Sequence, residues 1–223
     1  GMALTAPYPL GVTNITWAAT DTAGNQSTCT QTITVTNAAP TANAGPDQVL
    51  PHATAGVPTT VILDGAASSD PNPAQVLSFE WTQTGGPLVS LASANTATPS
   101  FVAPCPVSSV VLTFQLKVTD SCGVMSTDNV AVTVTNAAPT ANAGPDQVLP
   151  HATAGVPTTV MLDGAASNDP EGQPLSFQWT QTAGTPVTLN RANTARPTFV
   201  APCPVSSVVL TFQLKVTDSC GVM

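Results

Sequence analysis

The chain has 223 residues, with four Lys+Arg against twelve Asp+Glu, a net charge of −8 and only 7% charged side chains. A pI near 4.1 removes the basic surface that nucleic acid requires and disfavours anionic membranes, and no apolar run approaches the ~18 residues of a membrane span. Thirty-five Thr, 22 Pro and 15 Gly favour strands and turns over helices, and 42% hydrophobic residues are enough for a core.

In chain order, the first strand signal is Gln31–Thr36, where Ile33 and Val35 alternate with threonine. Leu77, Phe79 and Trp81 then alternate with Ser78, Glu80 and Thr82. In Val110–Thr119 the residues Val110, Leu112, Phe114, Leu116 and Val118 face one way, and Thr113, Gln115, Lys117 and Thr119 the other. Val130, Val132 and Val134 alternate with Ala131, Thr133 and Thr135, and the segment Val208–Thr217 repeats the pattern of 110–119. One apolar face opposite one Thr-rich face is what an antiparallel sandwich sheet needs. With Asp-Gly, Asp-Pro and Gly-Gly turn signals between strands, an all-β chain of tandem immunoglobulin-like sandwiches is expected. Trp81 and Trp179 read as core residues on a central strand.

The chain repeats itself. Residues 35–63 return at 134–162, and after a one-residue deletion the match runs on to Met223, with 14 differences in 88 aligned positions. The differences gather between Ser69 and Ser100, while Cys105–Met125 recurs unchanged. Residues 20–37 align in turn with 119–136. Three units are therefore expected: 1–37, the end of a first module; 38–135, a complete second; and 136–223, a third lacking the strand that Asp128–Thr135 supplies.

ANAGPDQ (42–48), VILDGAASSDP (61–71), LSFEWTQTGG (77–86) and LTFQLKVTD (112–120) resemble a PKD domain, and the same series recurs at 141–147, 160–170, 175–184 and 210–218. Residues 8–35 resemble the final part of a HYR (hyaline repeat) module, which is also immunoglobulin-like. The resemblance implies a secreted or cell-surface setting and a spacer role between functional domains. Two cysteines per copy depart from the usual PKD pattern.

Cys105 and Cys122 are separated by an extended strand of about ten residues, roughly 33 Å at ~3.3 Å per residue, whereas a disulfide needs Cα atoms within ~7 Å. In the sandwich topology Cys105 lies at the C-terminal pole and Cys122 at the N-terminal pole. Tandem modules bring unlike poles together, so a Cys105–Cys220 bridge across the junction is expected, with unbonded buried thiols as the alternative. Cys122 and Cys203 would then pair with modules outside this chain. The HYR resemblance implies a bridge partner for Cys29 beyond the chain. Nothing has CxxC or Cys/His spacing, so zinc is not expected.

Catalytic motifs are missing: there is no GxSxG, HExxH, P-loop or GxGxxG. Each repeat carries one histidine, His52 and His151, in the loop LPHATAGVP, read as surface decoration. No cofactor is required. Asp70, Asn72 and Asp120 are expected to gather at the N-terminal pole, with Asn43 nearby on the incoming chain, and Asn142, Asp169, Glu171 and Asp218 are the counterparts in the second copy. Hard oxygen donors from a linker and two loops suit Ca²⁺, as the PKD resemblance also implies. The alternative is that Asp64 and Asp70 are turn-formers accepting backbone N–H groups. Sugar binding needs exposed aromatic platforms, yet nine of ten aromatics fit core phases and only Tyr8 looks free.

The expected function is a non-catalytic extracellular spacer or stalk in a larger adhesin-like protein involved in cell adhesion. The alternative is a carbohydrate- or matrix-binding accessory module of a secreted hydrolase. Expected partners are neighbouring modules, a polysaccharide or matrix protein, and a second copy. That copy's Gln31–Thr36 would complete the edge of Val208–Thr217 by strand addition in head-to-tail chains.

Overall fold

The computed structural model describes residues 9–54, 56–72, 75–149, 158–203 and 207–223, and among them every regular element is a β-strand. β1 (Gly11–Thr20) and β2 (Gln26–Val35) form a hairpin, paired from Gly11↔Val35 to Thr20↔Gln26. The expected Gln31–Thr36 strand is thus the second half of β2. Asp21 shapes the turn, its Oδ1 accepting the N–H groups of Ala23 and Asn25 at 2.8 Å each. Among the described residues this sheet has two strands only, so its apolar phase has no opposing layer. Trp17 is consequently 46% exposed and Val12 66%, which corrects the assignment of Trp17 to a core; Tyr8 lies outside the described residues.

The complete sandwich follows. β3 (Gln48–Pro51), β4 (Ala53–Thr54), β5 (Val57–Pro58), β6 (Thr60–Ile62), β7 (Ser78–Gly85), β8 (Ser100–Val102), β9 (Val110–Thr119) and β10 (Met125–Thr135) succeed one another. One sheet has the order β3-β10-β9-β7, with β10 antiparallel to β9 and parallel to β3; β6 pairs with β8 in a second layer. The period-2 alternation of β9 and β10 turns Leu112, Phe114, Leu116, Val118, Val130, Val132 and Val134 onto one face. There they meet Val61, Leu63, Trp81 and Phe101. Burial of each valine is worth roughly 1.5–3 kcal/mol. Trp81 is 3% exposed and donates its indole N–H to the Thr96 carbonyl at 3.2 Å, so the large ring is buried with its one polar atom satisfied. β7 shifts register after Gln83, and Gly86, at φ 85°, passes so close to the Val111 carbonyl that a Cβ would collide with it.

The second copy repeats this plan with β11 (Thr159–Met161), β12 (Ser176–Ala183), β13 (Thr198–Val200) and β14 (Thr211–Thr217). β11 pairs with β13 and β12 with β14, in the registers of β6–β8 and β7–β9. Trp179 is 4% exposed, again a core residue. Among the described residues nothing pairs with the other edge of β14. An open groove of about 910 Å³ lies there, lined by Val148, Leu149, Trp179, Phe199, Leu210 and Phe212. Leu210, Phe212 and Leu214 are half-buried, where Leu112, Phe114 and Leu116 are fully covered.

Candidate functional site at the junction of the two modules

The turn after β9 is built by Asp120. Its Oδ1 accepts the N–H groups of Cys122 and Val124 at 2.9 and 2.8 Å, and Gly123 turns the chain at φ 87°. The other carboxylate oxygen accepts the side-chain N–H of Asn37 at 2.6 Å, fastening the incoming linker to the pole. Next along the linker, the Ala38 N–H donates to Asn72 Oδ1 at 2.8 Å, and the Asn72 N–H donates to Asp70 Oδ1 at 2.6 Å. Gln75 links Asn37 Oδ1 to the hydroxyl of Ser121. The pole is therefore a closed polar network in which carboxylates and amides hold linker, loop and turn together.

The Asn37 hydrogen bond is the main reason that the Asp120 carboxyl lies below the ordinary aspartate range; the Val124, Cys122 and Gly123 N–H groups add to it and desolvation opposes them. A depressed native value stabilises the fold above the unfolded carboxylate pKa, and that contribution is lost as pH falls through the native value. Asn37→Ala is expected to raise the Asp120 pKa and to start acid loosening of the 120–124 turn at higher pH. Carboxyl NMR titration checks it.

At the second pole the same groups recur. Asn136 donates to Asp218 Oδ2 at 2.9 Å, Gln173 donates to Asn136 Oδ1, and Ser219 donates to Gln173 Oε1 at 2.7 Å. Asp169 Oδ1 accepts the N–H groups of Glu171 and Gln173, and Glu171 Oε1 that of Ala137. Here the pole is also capped by the preceding module. Asn136 Nδ2 additionally donates to the Pro106 carbonyl at 3.0 Å, and the Gly56 N–H to the Glu171 carbonyl at 3.0 Å. Asp169 and Gln173 are only 9% and 5% exposed, where their counterparts Asp70 and Gln75 are half-buried, while Asp218 and Asp120 are both 5% exposed.

Cys105, in the connection from β8 to β9, is bonded to Cys220, in the turn after β14, with Cα atoms 5.3 Å apart. The bridge therefore spans the two modules. Cys29 and Cys122 are exposed thiols; Gln75 Nε2 donates to Cys122 Sγ at 3.6 Å. His52 sits against the bridge and is 4% exposed, which corrects its reading as surface decoration: its backbone is tied to Thr135 and Thr59 and its ring lies within 4.8 Å of both bridge sulfurs. His151 lies outside the described residues.

The structure brings Asp70, Asn72 and Asp120 into one network and Asp169, Glu171 and Asp218 into another. Asn43 and Asn142 stand apart, each closing its own turn by accepting the N–H of Gly45 and of Gly144. Asn37, Asn136, Gln75 and Gln173 escaped the sequence reading. Their signal was present: the glutamine persists in a loop where its neighbours differ between copies, and an asparagine opens each linker.

A family model described as "K319L-like, PKD domain" matches residues 44–134 and 143–222. The chain is 35% identical over 174 residues to the dyslexia-associated protein KIAA0319 homolog of Mus musculus, covering 74% of this chain and 15% of that protein. To the dyslexia-associated protein KIAA0319-like protein of Mus musculus it is 34% identical over 212 residues, covering 91% and 19%. The chain thus spans less than a fifth of the length of these curated relatives. The solution structure of the PKD domain from KIAA 1837 protein is 30% identical, covers 51% of this chain and 99% of that one, and aligns with a TM-score of 0.35.

Proposed function

The chain belongs to the K319L-like PKD domain family, and from that premise we propose that it is a non-catalytic extracellular spacer that holds successive modules at a fixed junction. The observation that carries this is the Cys105–Cys220 bridge between modules, reinforced by Asn136, which bonds Asp218 on one side and the Pro106 carbonyl on the other. A disulfide in this position suits a secreted or cell-surface setting, where such bonds persist. Neighbouring modules are the partners, and adhesion is the context in which a stiff repeat is useful.

The half-exposed Trp17, beside Gln31 on the hairpin, favours a second reading as a carbohydrate- or matrix-binding accessory module. Calcium is a further proposal for the polar networks. Asp70 Oδ2, Asp169 Oδ2 and Glu171 Oε2 are buried oxygens without a hydrogen-bond partner, a donor type that Ca²⁺ accepts. Asp169, Glu171 and Asp218 do not, however, bring three carboxylate oxygens within 4.8 Å of one another, so a tight cage would need the loops to close. Retention of the chain on chitin, cellulose, collagen or peptidoglycan, measured with and without Ca²⁺, separates these readings. The spacer is expected to wash through in both conditions; retention on one polymer would replace it with the binding module.

The groove beside β14 also supports head-to-tail self-association. A second copy's β2 offers Ile33 and Val35 in the phase with which Val132 and Val134 fill the first module, since β1–β2 has the register of β9–β10. A mass that rises with concentration in light scattering is the expected sign, and a constant monomer mass rejects it.

A further inference from the structure

Each repeat contains one histidine, and nothing in the spacer reading uses it. The His52 backbone is held on both sides, its N–H donating to the Thr135 carbonyl at 2.9 Å and its carbonyl accepting from the Thr59 N–H at 2.8 Å. The side chain is thereby fixed at the pole, 4% exposed, with Nδ1 buried and without a hydrogen-bond partner. A buried imidazole nitrogen left unpaired calls for an explanation. Its neighbours provide one: a ring nitrogen of His52 and the sulfurs of Cys105 and Cys220 all lie within 4.8 Å of one another. Two of the three residues come from the first module and one from the second, so the group exists only where two modules meet. Cys105 is exposed, which leaves the bridge open to an attacking thiolate.

We infer that this junction is a two-state staple: a disulfide when oxidised and, after reduction, a Cys₂His site for a thiophilic cation, Zn²⁺ or Cu⁺. In the reducing step a small dithiol attacks one sulfur through its thiolate and forms a mixed disulfide. Its second thiol then displaces the cysteine, so the dithiol leaves as its own disulfide and two electrons remain on the Cys105 and Cys220 thiols. Cation binding releases their two protons to water. Zn–S bonds of about 2.3 Å and a Zn–N bond of about 2.0 Å separate the donor atoms by less than 4 Å. The imidazole, within 4.8 Å of both sulfurs, is close to that range, and the sulfurs need to move apart. Three donors complete a trigonal Cu⁺ site, whereas Zn²⁺ would keep a water in its fourth position. In either redox state the modules stay joined through the same side chains. His52, Cys105 and Cys122 recur in the second copy as His151, Cys203 and Cys220, so the sequence repeats this set of ligand types.

The test uses the full chain carrying Cys29→Ser, Cys122→Ser and Cys203→Ser, so that the junction pair alone remains. It is reduced with dithiothreitol, desalted without oxygen and titrated with Co²⁺ as the probe. One Co²⁺ per chain with a thiolate-to-cobalt charge-transfer band is expected, with no band in the oxidised form and displacement by Zn²⁺. Competition with a Cu⁺ chelator then ranks Cu⁺ against Zn²⁺. His52→Ala is expected to weaken Co²⁺ binding at least tenfold, and His52→Gln, which keeps a polar side chain of similar size, is read in the same way. Intact mass under non-reducing conditions verifies that both variants still close the bridge. Absence of the band in the reduced chain, or an affinity unchanged by both histidine substitutions, overturns the proposal.

Discussion

Leu116→Ala is expected to lower the stability of the first module by about 2–5 kcal/mol, and Leu214→Ala to cost the second roughly half of that or less. The two leucines occupy equivalent places in the identical stretches LTFQLKVTD at 112–120 and 210–218. Strand propensity and near neighbours in sequence therefore cancel in the comparison. What differs is cover. Leu116 is 0% exposed in a core closed by Val130, Val132 and Val134 of β10, whereas Leu214, along β14 from the groove-lining Phe212, is only half-buried. Truncating the first removes its transfer energy and leaves a cavity, while truncating the second removes atoms that water already reaches in part. Urea unfolding followed by the fluorescence of Trp81 and Trp179 resolves the two costs. Equal costs would mean that the groove is covered in solution. A Leu214→Ala cost that grows with protein concentration would identify a second copy as the cover.

Cys220→Ser is expected to uncouple the modules and to destabilise the second by about 2–4 kcal/mol. The bridge closes a chain segment with a sequence separation of 115, near the length for which the chain-entropy account gives about 4.7 kcal/mol as a ceiling. The lower figure is expected because the folded first module already orders most of that segment. Among the described residues, the hydrogen bonds between the modules that survive are the Asn136 amide on the Pro106 carbonyl and the Gly56 N–H on the Glu171 carbonyl. Each is worth about 0.5–1.5 kcal/mol net, too little to fix the arrangement of two domains. Unfolding in urea should therefore split into two transitions in the variant, with the second module melting first.

Strand identity and facing were legible in the sequence because alternation is a local signal. Val110–Thr119 and the valines of β10 point where their period places them, and Trp81 and Trp179 are buried. Trp17 shows where that logic stops. Its phase is as regular, but a face is buried only when a second layer packs on it, and among the described residues β1 and β2 have none. His52 shows the converse, a loop residue buried by contacts between chain segments far apart in sequence. The polar poles were half legible: Asp70, Asn72 and Asp120 have turn-forming chemistry, but the amides of Asn37 and Gln75 that join them act at sequence separations of 83 and 38. No local pattern encodes such reach.

Small-angle scattering from the oxidised chain and from Cys220→Ser, at matched low concentration, tests the stapled spacer most directly. The oxidised profile should fit a single fixed arrangement of two modules, and the variant's should require a spread of arrangements. Two superimposable profiles, both demanding the same spread, would contradict it and leave the modules as freely jointed beads.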